Sequence, residues 1–259
     1  MRSFGDGPLG GKGERHRVWG QNDARERLAG AKAVLVLTGA GISAESGVPT
    51  FRGPEGLWRQ FRPEDLATPH AFARDPRLVW EWYAWRREKI APLSPNAAHH
   101  ALARLEERVP EFLLATQNVD GLHRVAGSRR LVELHGSLWR VRCVRCGSDH
   151  EDRRVPLPDL PPRCGCGGLL RPAVVWFGEA LSADAMEPAL GAARQAEVIL
   201  VIGTSSLVYP AAALPQLGRE NGAFVVEVNP EETPLSRLAA VSLRGPAAEV
   251  VPALLEGLP

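Results

Sequence analysis

The sequence predicts an α/β fold: a parallel β-sheet with helices on both faces, carrying a helical insertion and a small cysteine-rich module. Three observations support it. First, apolar runs at 34–38 (VLVLT), 111–118 (EFLLATQN), 197–205 (EVILVIGTS) and 222–230 (GAFVVEVNP) alternate with helical patterns. Continuous apolar runs suit strands buried on both faces, as in parallel sheets. Second, the runs end in Thr38-Gly39-Ala40-Gly41, Gln117-Asn118-Val119-Asp120, Glu133-Leu134-His135-Gly136, Gly203-Thr204-Ser205 and Asn229. Open parallel sheets bind ligands beyond the carboxyl ends of their strands, so these endings should converge on one rim. Third, all four cysteines fall within residues 143–166, in a stretch rich in Pro, Gly and charge.

The elements follow in order. Residues 1–20 are Gly-rich and charged, lack the apolar core of a signal peptide, and read as a flexible tail. A surface helix covers 22–32, then the first strand runs from Val34 to Thr38. Gly47, Pro49, Gly53, Pro54 and Gly56 forbid a long helix after it. Residues 51–100 read as a helical insertion, holding four of the seven tryptophans and the run PRLVWEWYAWRREKI. Pro95-Asn96 opens the next helix, with Leu102 and Leu105 on one face. Strands at 111–118 and 130–136 precede the cysteine module, placed at 139–172. The run PAVVWFGE then reads as an extended edge. A helix near 182–196, two more strands and a closing amphipathic helix at 247–258 complete the sheet domain, which comprises 21–50, 101–138 and 173–259.

The net charge of +1, with 24% charged residues, creates no general field for nucleic acid or membranes. No apolar run approaches the roughly 18 residues of a membrane span. The expectation is a cytoplasmic monomer with no membrane or nucleic-acid partner.

The strand followed by Gly39-Ala40-Gly41-Ile42-Ser43-Ala44 looks Rossmann-like: glycines let backbone N–H groups approach a phosphate. A tight turn would need the same glycines. A hydride-transferring domain also wants a full helix next, and a second strand ending in an acid about 20 residues on, and neither follows here. His135, at a strand end, could act as a base near neutral pH or serve structure alone. His99 and His100 sit early in a helix and read as packing or capping groups, while His16, His70, His123 and His150 lie in charged or loop-like contexts. Cys143-Val144-Arg145-Cys146, 17 residues, then Cys164-Gly165-Cys166 is a zinc pattern. Four thiolates leave no open position, so one structural Zn²⁺ is expected. The second pair is one residue shorter than usual and should strain the site.

The stretches GAGISAESGVPTFRG, TQNVDGLH, LVELHGS, the paired cysteines, LRPAVVWFGE, GTSSLVYPAA and EVNPEET follow one another as in the sirtuins. The chain resembles these NAD-dependent protein-lysine deacylases from about residue 30 to 258. The resemblance implies an NAD site built from Gly39, Ala40, Gly41, Ile42, Ser43, Ala44, Glu45, Phe51, Arg52 and Trp58. The broken helix after Gly41, running into the 51–100 insertion, would be a cofactor loop in which Arg52 would meet the phosphates and Phe51 would cover the reactive ribose face, and Gln117 would hold the ribose. Asn118 and Asp120, beside Val119 and with the Ile42 backbone, would seat nicotinamide. Gly203, Thr204, Ser205, Asn229, Pro230, Glu231 and Ala247 would line the adenosine half. The acyl oxygen of a substrate lysine would displace nicotinamide, and His135 would act as general base through the ribose hydroxyls. The products would be free lysine, nicotinamide and O-acyl-ADP-ribose. The resemblance also makes His135, Asn118 and Asp120 the catalytic group, and Val175, Trp176, Phe177 and Gly178 the substrate edge. Tyr83 and Arg86, three apart on one helix face, match a pair found in the desuccinylase class and imply succinyl- and malonyl-lysine substrates beside acetyl-lysine. Two other readings stand beside this one: an NAD-dependent ADP-ribosyltransferase, and a non-enzymatic zinc module that binds nucleic acid through RVRCVRCG.

Overall fold

The computed structural model describes residues 20–50 and 62–258. Six strands form one parallel sheet: β1 (Ala33–Thr38), β2 (Glu111–Thr116), β3 (Leu131–Glu133), β7 (Val198–Ile202), β8 (Phe224–Val228) and β9 (Val241–Leu243), in the order β3-β2-β1-β7-β8-β9. This is the doubly wound order, with the strand order reversing between β1 and β7. β4 (Gly136–Cys143), β5 (Asp149–Glu151) and β6 (Leu170–Val174) make a separate antiparallel sheet, ordered β5-β4-β6, inserted between β3 and β7.

The alternation of Cβ directions along a strand explains the layers. Val34 and Val36 enter one apolar cluster with Leu102 and Leu105 of α5 (Ala97–Arg108) and Val251 and Leu254 of α9 (Ala247–Leu255). Leu35 and Leu37 enter another with Ala189 and Ala193 of α7 (Ala183–Gln195) and Leu214 of α8 (Leu214–Glu220). Fully burying a side chain such as Leu35 contributes about 1.5–3 kcal/mol. α1 (Gln21–Gly30) adds Ala24 and Leu28 to the first face.

Helices α2 (Pro63–Leu66), α3 (Pro69–Arg74) and α4 (Pro76–Ile90) form the insertion. Pro76 opens α4, and the Asp75 carboxylate caps it by accepting from the Leu78 N–H at 3.0 Å. A third cluster joins Val79 and Trp80 of α4 to Leu138, Val141 and Leu170 of the small sheet. The Trp80 indole N–H donates to the Leu170 carbonyl at 2.7 Å. Insertion and module, which the sequence treats as two pieces, therefore share one core.

Other boundaries differ as well. The run 130–136 is not one strand: β3 stops at Glu133 and β4 starts at Gly136, where the chain leaves one sheet for the other. The small sheet thus takes residues 136–138 and 173–174 from the segments assigned to the sheet domain. The strand expected over 111–118 ends at Thr116. β9 and α8 were not expected, because three residues give no period and LPQLGRE carries both Pro and Gly. No described helix is long and apolar enough to cross a membrane.

Candidate functional site

A cavity of about 710 Å³ opens beyond the carboxyl ends of β1, β2, β7 and β8. The polar endings converge there: Gly39, Ala40, Gly41, Gln117, Asn118, Val119, His135, Gly203, Thr204, Ser205 and Asn229 all line it. Ala44, Glu45, Pro230 and Glu231 complete the expected lining. Ile42, Ser43 and Asp120 are buried and Ala247 is buried at the start of α9; none of the four lines the cavity. Phe51, Arg52 and Trp58 lie outside the described residues.

Of the two sequence readings of the glycines, the close backbone turn is the one seen directly. Residues 40–46 form a 3-10 helix, and the Gly41 N–H donates to the Gly203 carbonyl at 2.8 Å rather than pointing at a ligand. A Cβ on Gly39 would meet Thr204 Cα at 2.8 Å, and one on Gly41 would meet Gly203 Cα at 2.7 Å. Gly203 itself has φ +61°, the left-handed region that favours glycine. These residues are glycines because the loops after β1 and β7 touch backbone to backbone at the point where strand order reverses.

Beneath the cavity lies a polar layer that the sequence reading only partly anticipates. The Ser43 hydroxyl donates to Asp120 Oδ2 at 2.8 Å and accepts from the Asn118 amide at 3.2 Å, and that amide also donates to the Gly39 carbonyl at 3.1 Å. The Leu122 N–H donates to Asp120 Oδ1 at 2.9 Å. Burial raises the Asp120 carboxyl above its usual range, against these two hydrogen bonds. His99 caps α5 beside Asn96, as expected, but its Nε2 also lies 3.3 Å from Ser43 Oγ. His123, expected in a loop-like setting, is buried in α6 (Leu122–Val125) with Nε2 at 3.0 Å from Thr38 Oγ1. Thr38 gives its hydrogen to Thr116 at 2.8 Å, so His123 Nε2 is the donor, and its buried Nδ1 has no partner among the described residues. The two imidazoles lie 4.8 Å apart. Burial pushes both down, His99 to about 4, helped by the His100 imidazole beside His99 and by His99 beside His123. The signal for His123 was its place in a short helix after Asn118-Val119-Asp120-Gly121; nothing local says that helix turns inward.

His135 stands at the junction of the two sheets. Its Nδ1 lies 2.9 Å from the Gln117 carbonyl. A carbonyl only accepts, so Nδ1 carries the hydrogen and Nε2 keeps a lone pair. Burial holds its pKa below the ordinary value, against the Gln117 hydrogen bond. A neutral base thus faces the cavity at pH 7. Gln117 Nε2 in turn donates to Thr204 Oγ1 at 3.0 Å, and Asn229 Nδ2 to the Thr204 carbonyl at 2.8 Å.

Tyr83 and Arg86 of α4 are both buried and both line the cavity, as do Val175, Trp176, Phe177 and Gly178. The Arg86 guanidinium lies 5.0 Å from the Trp82 ring centroid. Arg87 faces elsewhere, as expected, donating through Nε to the Leu138 carbonyl at 2.8 Å. The extended edge expected at 172–179 is shorter: β6 stops at Val174. The N–H groups of Val175, Trp176 and Phe177 already bond to the His135 carbonyl, Glu179 and the Ala67 carbonyl.

The four cysteine sulfurs lie within 4.8 Å of one another, with Cys143–Cys166 at 3.5 Å and Cys146–Cys164 at 3.8 Å. A tetrahedral Zn²⁺ with Zn–S near 2.3 Å needs sulfurs about 3.8 Å apart, so the set fits zinc. The short second pair closes because Cys164 to Gly168 folds into a tight turn, with the Cys164 N–H bonded to the Gly168 carbonyl at 2.9 Å. A Cβ on Gly168 would stand 2.9 Å from Cys143 Sγ. N–H groups of Cys146 and Arg145 donate to Cys143 Sγ and lower its thiol toward the metal-binding thiolate.

Comparison with known proteins completes the description. The pattern of the Sir2 family matches residues 39–210. The NAD-dependent protein deacylase of Aquifex aeolicus is 57% identical over 216 residues, covering 83% of this chain and 90% of its own length. A solved Sir2 homologue mutant in complex with ADP-ribose is 50% identical, with a TM-score of 0.88 over 90% of this chain and 94% of the other. A solved Sir2–p53 peptide–NAD⁺ structure is 34% identical, with a TM-score of 0.80 over 89% of this chain and 95% of the other.

Proposed function

The chain belongs to the Sir2 family, and from that premise we propose that it removes succinyl, malonyl and acetyl groups from protein lysines, releasing nicotinamide and O-acyl-ADP-ribose. It is an NAD-dependent deacylase, with NAD consumed as co-substrate. The observation that carries the reading is His135: its Nδ1–H is committed to Gln117, its Nε2 lone pair is kept, and burial favours its neutral form. When bound, NAD would supply the ribose carbon that takes the acyl oxygen as nicotinamide leaves, and a water molecule would complete the release of the lysine. The remaining work belongs to the chain. Gln117 and His135 hold the ribose hydroxyls, and His135 Nε2 takes a hydroxyl proton as general base. Asn118 and Asp120, braced by Ser43, seat the carboxamide. Gly203, Thr204, Ser205, Asn229, Pro230 and Glu231 receive the adenosine half. Cys143, Cys146, Cys164 and Cys166 hold Zn²⁺, which braces the module and takes no part in the reaction.

The acyl range follows from Tyr83 and Arg86, a hydroxyl and a planar guanidinium lining one cavity wall. Hydrogen bonds to charged groups contribute about 1.5–3 kcal/mol each, so the pair favours an acyl carboxylate by about 10²-fold or more. The test incubates the protein with NAD and matched succinyl-, malonyl- and acetyl-lysine peptides, with mass analysis of products. O-acyl-ADP-ribose is expected, and Arg86→Met should depress desuccinylation far more than deacetylation. A product with ADP-ribose attached to protein would overturn the reaction, and a parent that ignores succinyl-lysine would overturn the acyl range.

A further inference from the structure

The Trp176 indole N–H donates to the Tyr83 hydroxyl oxygen at 2.9 Å, and both side chains are buried. A hydroxyl that accepts along one direction must send its own hydrogen along another. Tyr83 lines the cavity, and the other rings at hand close it in: Trp82 meets Tyr83 edge-on at 4.7 Å, and Phe72 packs on Trp176 at 5.3 Å. Neither Trp82 nor Phe72 offers an oxygen to accept the Tyr83 hydrogen.

Trp176 is itself held from the far side. The Arg171 guanidinium lies over its ring at 3.5 Å. Arg171 donates through Nη1 and Nη2 to Glu179 at 2.6 and 2.8 Å, and through Nη2 to the Val174 carbonyl at 2.9 Å. Glu179 Oε2 accepts the Trp176 backbone N–H at 2.8 Å, so one carboxylate fixes both the cation and the tryptophan backbone. A cation over an indole face draws electron density from the ring, which makes its N–H a stronger donor. Donors and acceptors in series polarise one another, so Tyr83 becomes a stronger donor in turn.

The geometry points to Trp176 as a positioning residue for acyl selectivity, locked by Arg171 and Glu179, that turns the Tyr83 hydroxyl hydrogen toward an acyl carboxylate in the cavity. This rests on the acyl range proposed above. It adds that selectivity depends on a residue 93 positions from Tyr83 and on an ion pair at the end of β6, as well as on the Tyr83–Arg86 pair.

The experiment is a double-mutant cycle on the whole protein with NAD, using Trp176→Phe, Tyr83→Phe and the double variant against succinyl-, malonyl- and acetyl-lysine peptides. Trp176→Phe keeps an aromatic ring and removes the N–H. It should lower the ratio of succinyl to acetyl kcat/KM by about five- to tenfold, the worth of one ordinary hydrogen bond. The change should appear in KM for the acyl peptide and not in KM for NAD. In the Tyr83→Phe background, Trp176→Phe should lower the ratio no further. If Trp176→Phe does not fold, Arg171→Met, which removes the stacked cation and leaves the indole, carries the same ratio test. A parent without desuccinylase or demalonylase activity overturns the proposed acyl range, and this inference with it. A parent that desuccinylates while the ratio stays fixed in Trp176→Phe, or effects that multiply in the double variant, overturns the inference alone.

Discussion

Every residue of β7, Val198 through Ile202, is buried, whereas β4 of the small sheet buries Val141 and Cys143 and leaves Arg140 and Arg142 in solvent. The parallel sheet is covered on both faces by helices. The small sheet has one apolar face, turned to α4, and solvent on the other. Arg140 and Arg142 share Asp149 at 2.7 and 3.0 Å, but exposed ion pairs contribute only about 0–1 kcal/mol. The sheet domain thus has apolar cores of its own on both faces, while the module depends on a core shared with α4 and on four sulfurs. His135 sits on the boundary, so its chemistry depends on both regions keeping register.

The sharpest separation of chemistry from fold is His135→Ala. It should lower deacylation by about 10²–10⁴-fold and leave the thermal midpoint within a degree or two. Steady-state rates beside a melting curve check it, and turnover near the parent level would remove the base assignment. Cys143→Ala addresses the other region. Structural zinc contributes directly to folding free energy, so the metal should be lost, and the module should open before the parallel sheet. Elemental analysis and hydrogen exchange resolved by segment would read this, with Cys146 and Trp139 losing protection ahead of Leu35. Uniform loss along the chain would erase the contrast between the regions.

Gly203→Ala should destabilise by about 3 kcal/mol, since a left-handed alanine costs about 1–3 kcal/mol before any clash with Gly41. That corresponds to a midpoint about 6–12 °C lower for a chain of this size. Gly165→Ala, with nothing within 4 Å of its Cβ, is the matched control in the module and should cost little.

The smallest effect is on pH. His99 and His123 have depressed pKa values in the fold, so they bind protons more readily when unfolded. The stability they allow is complete above the unfolded value of about 6.5 and declines as pH falls from there toward about 4, where His99 titrates in the fold. Asp120 moves the other way from 3.8 and offsets part of this loss. Melting curves from pH 7.5 to 4.5 should therefore slope downward, and replacing both histidines by glutamine should flatten them. The depressed His135 also predicts an acid limb of kcat/KM below pH 6.5.

The strands and their polar ends were legible because period and termination are local properties, and β1, β2, β7 and β8 all begin or end within a few residues of the sequence reading. The cysteine cluster was legible by spacing. What escaped was pairing across long separations: Gly41 with Gly203, His123 with Thr38, Trp176 with Tyr83. Each residue read alone has an ordinary local explanation, such as a phosphate-facing glycine, a surface histidine or an edge strand. Only the strand order, which brings the ends of β1 and β7 side by side, gives them their partners. Ala247, a position carried over from resemblance, is buried as the first residue of α9 and does not line the cavity, so its place in the adenosine half rests on the resemblance alone.

The backbone interlock of Gly39 and Gly41 with Gly203 and Thr204 has a consequence for recombination. The two loops are more than 160 residues apart in the chain, yet each occupies space that a single methyl group on the other would fill. A chimaera that joins the first half of this protein to the second half of a relative inherits one loop from each parent, and it can close its sheet only if both parents left the same gap. A single crossover within β4 to β6 parts Gly39 and Gly41 from Gly203 and Thr204, so it succeeds only between parents that share the glycine pattern; exchanging the segment 136–174 as a cassette leaves both loops with their native partner and asks only that the new small sheet fit Val79 and Trp80 of α4.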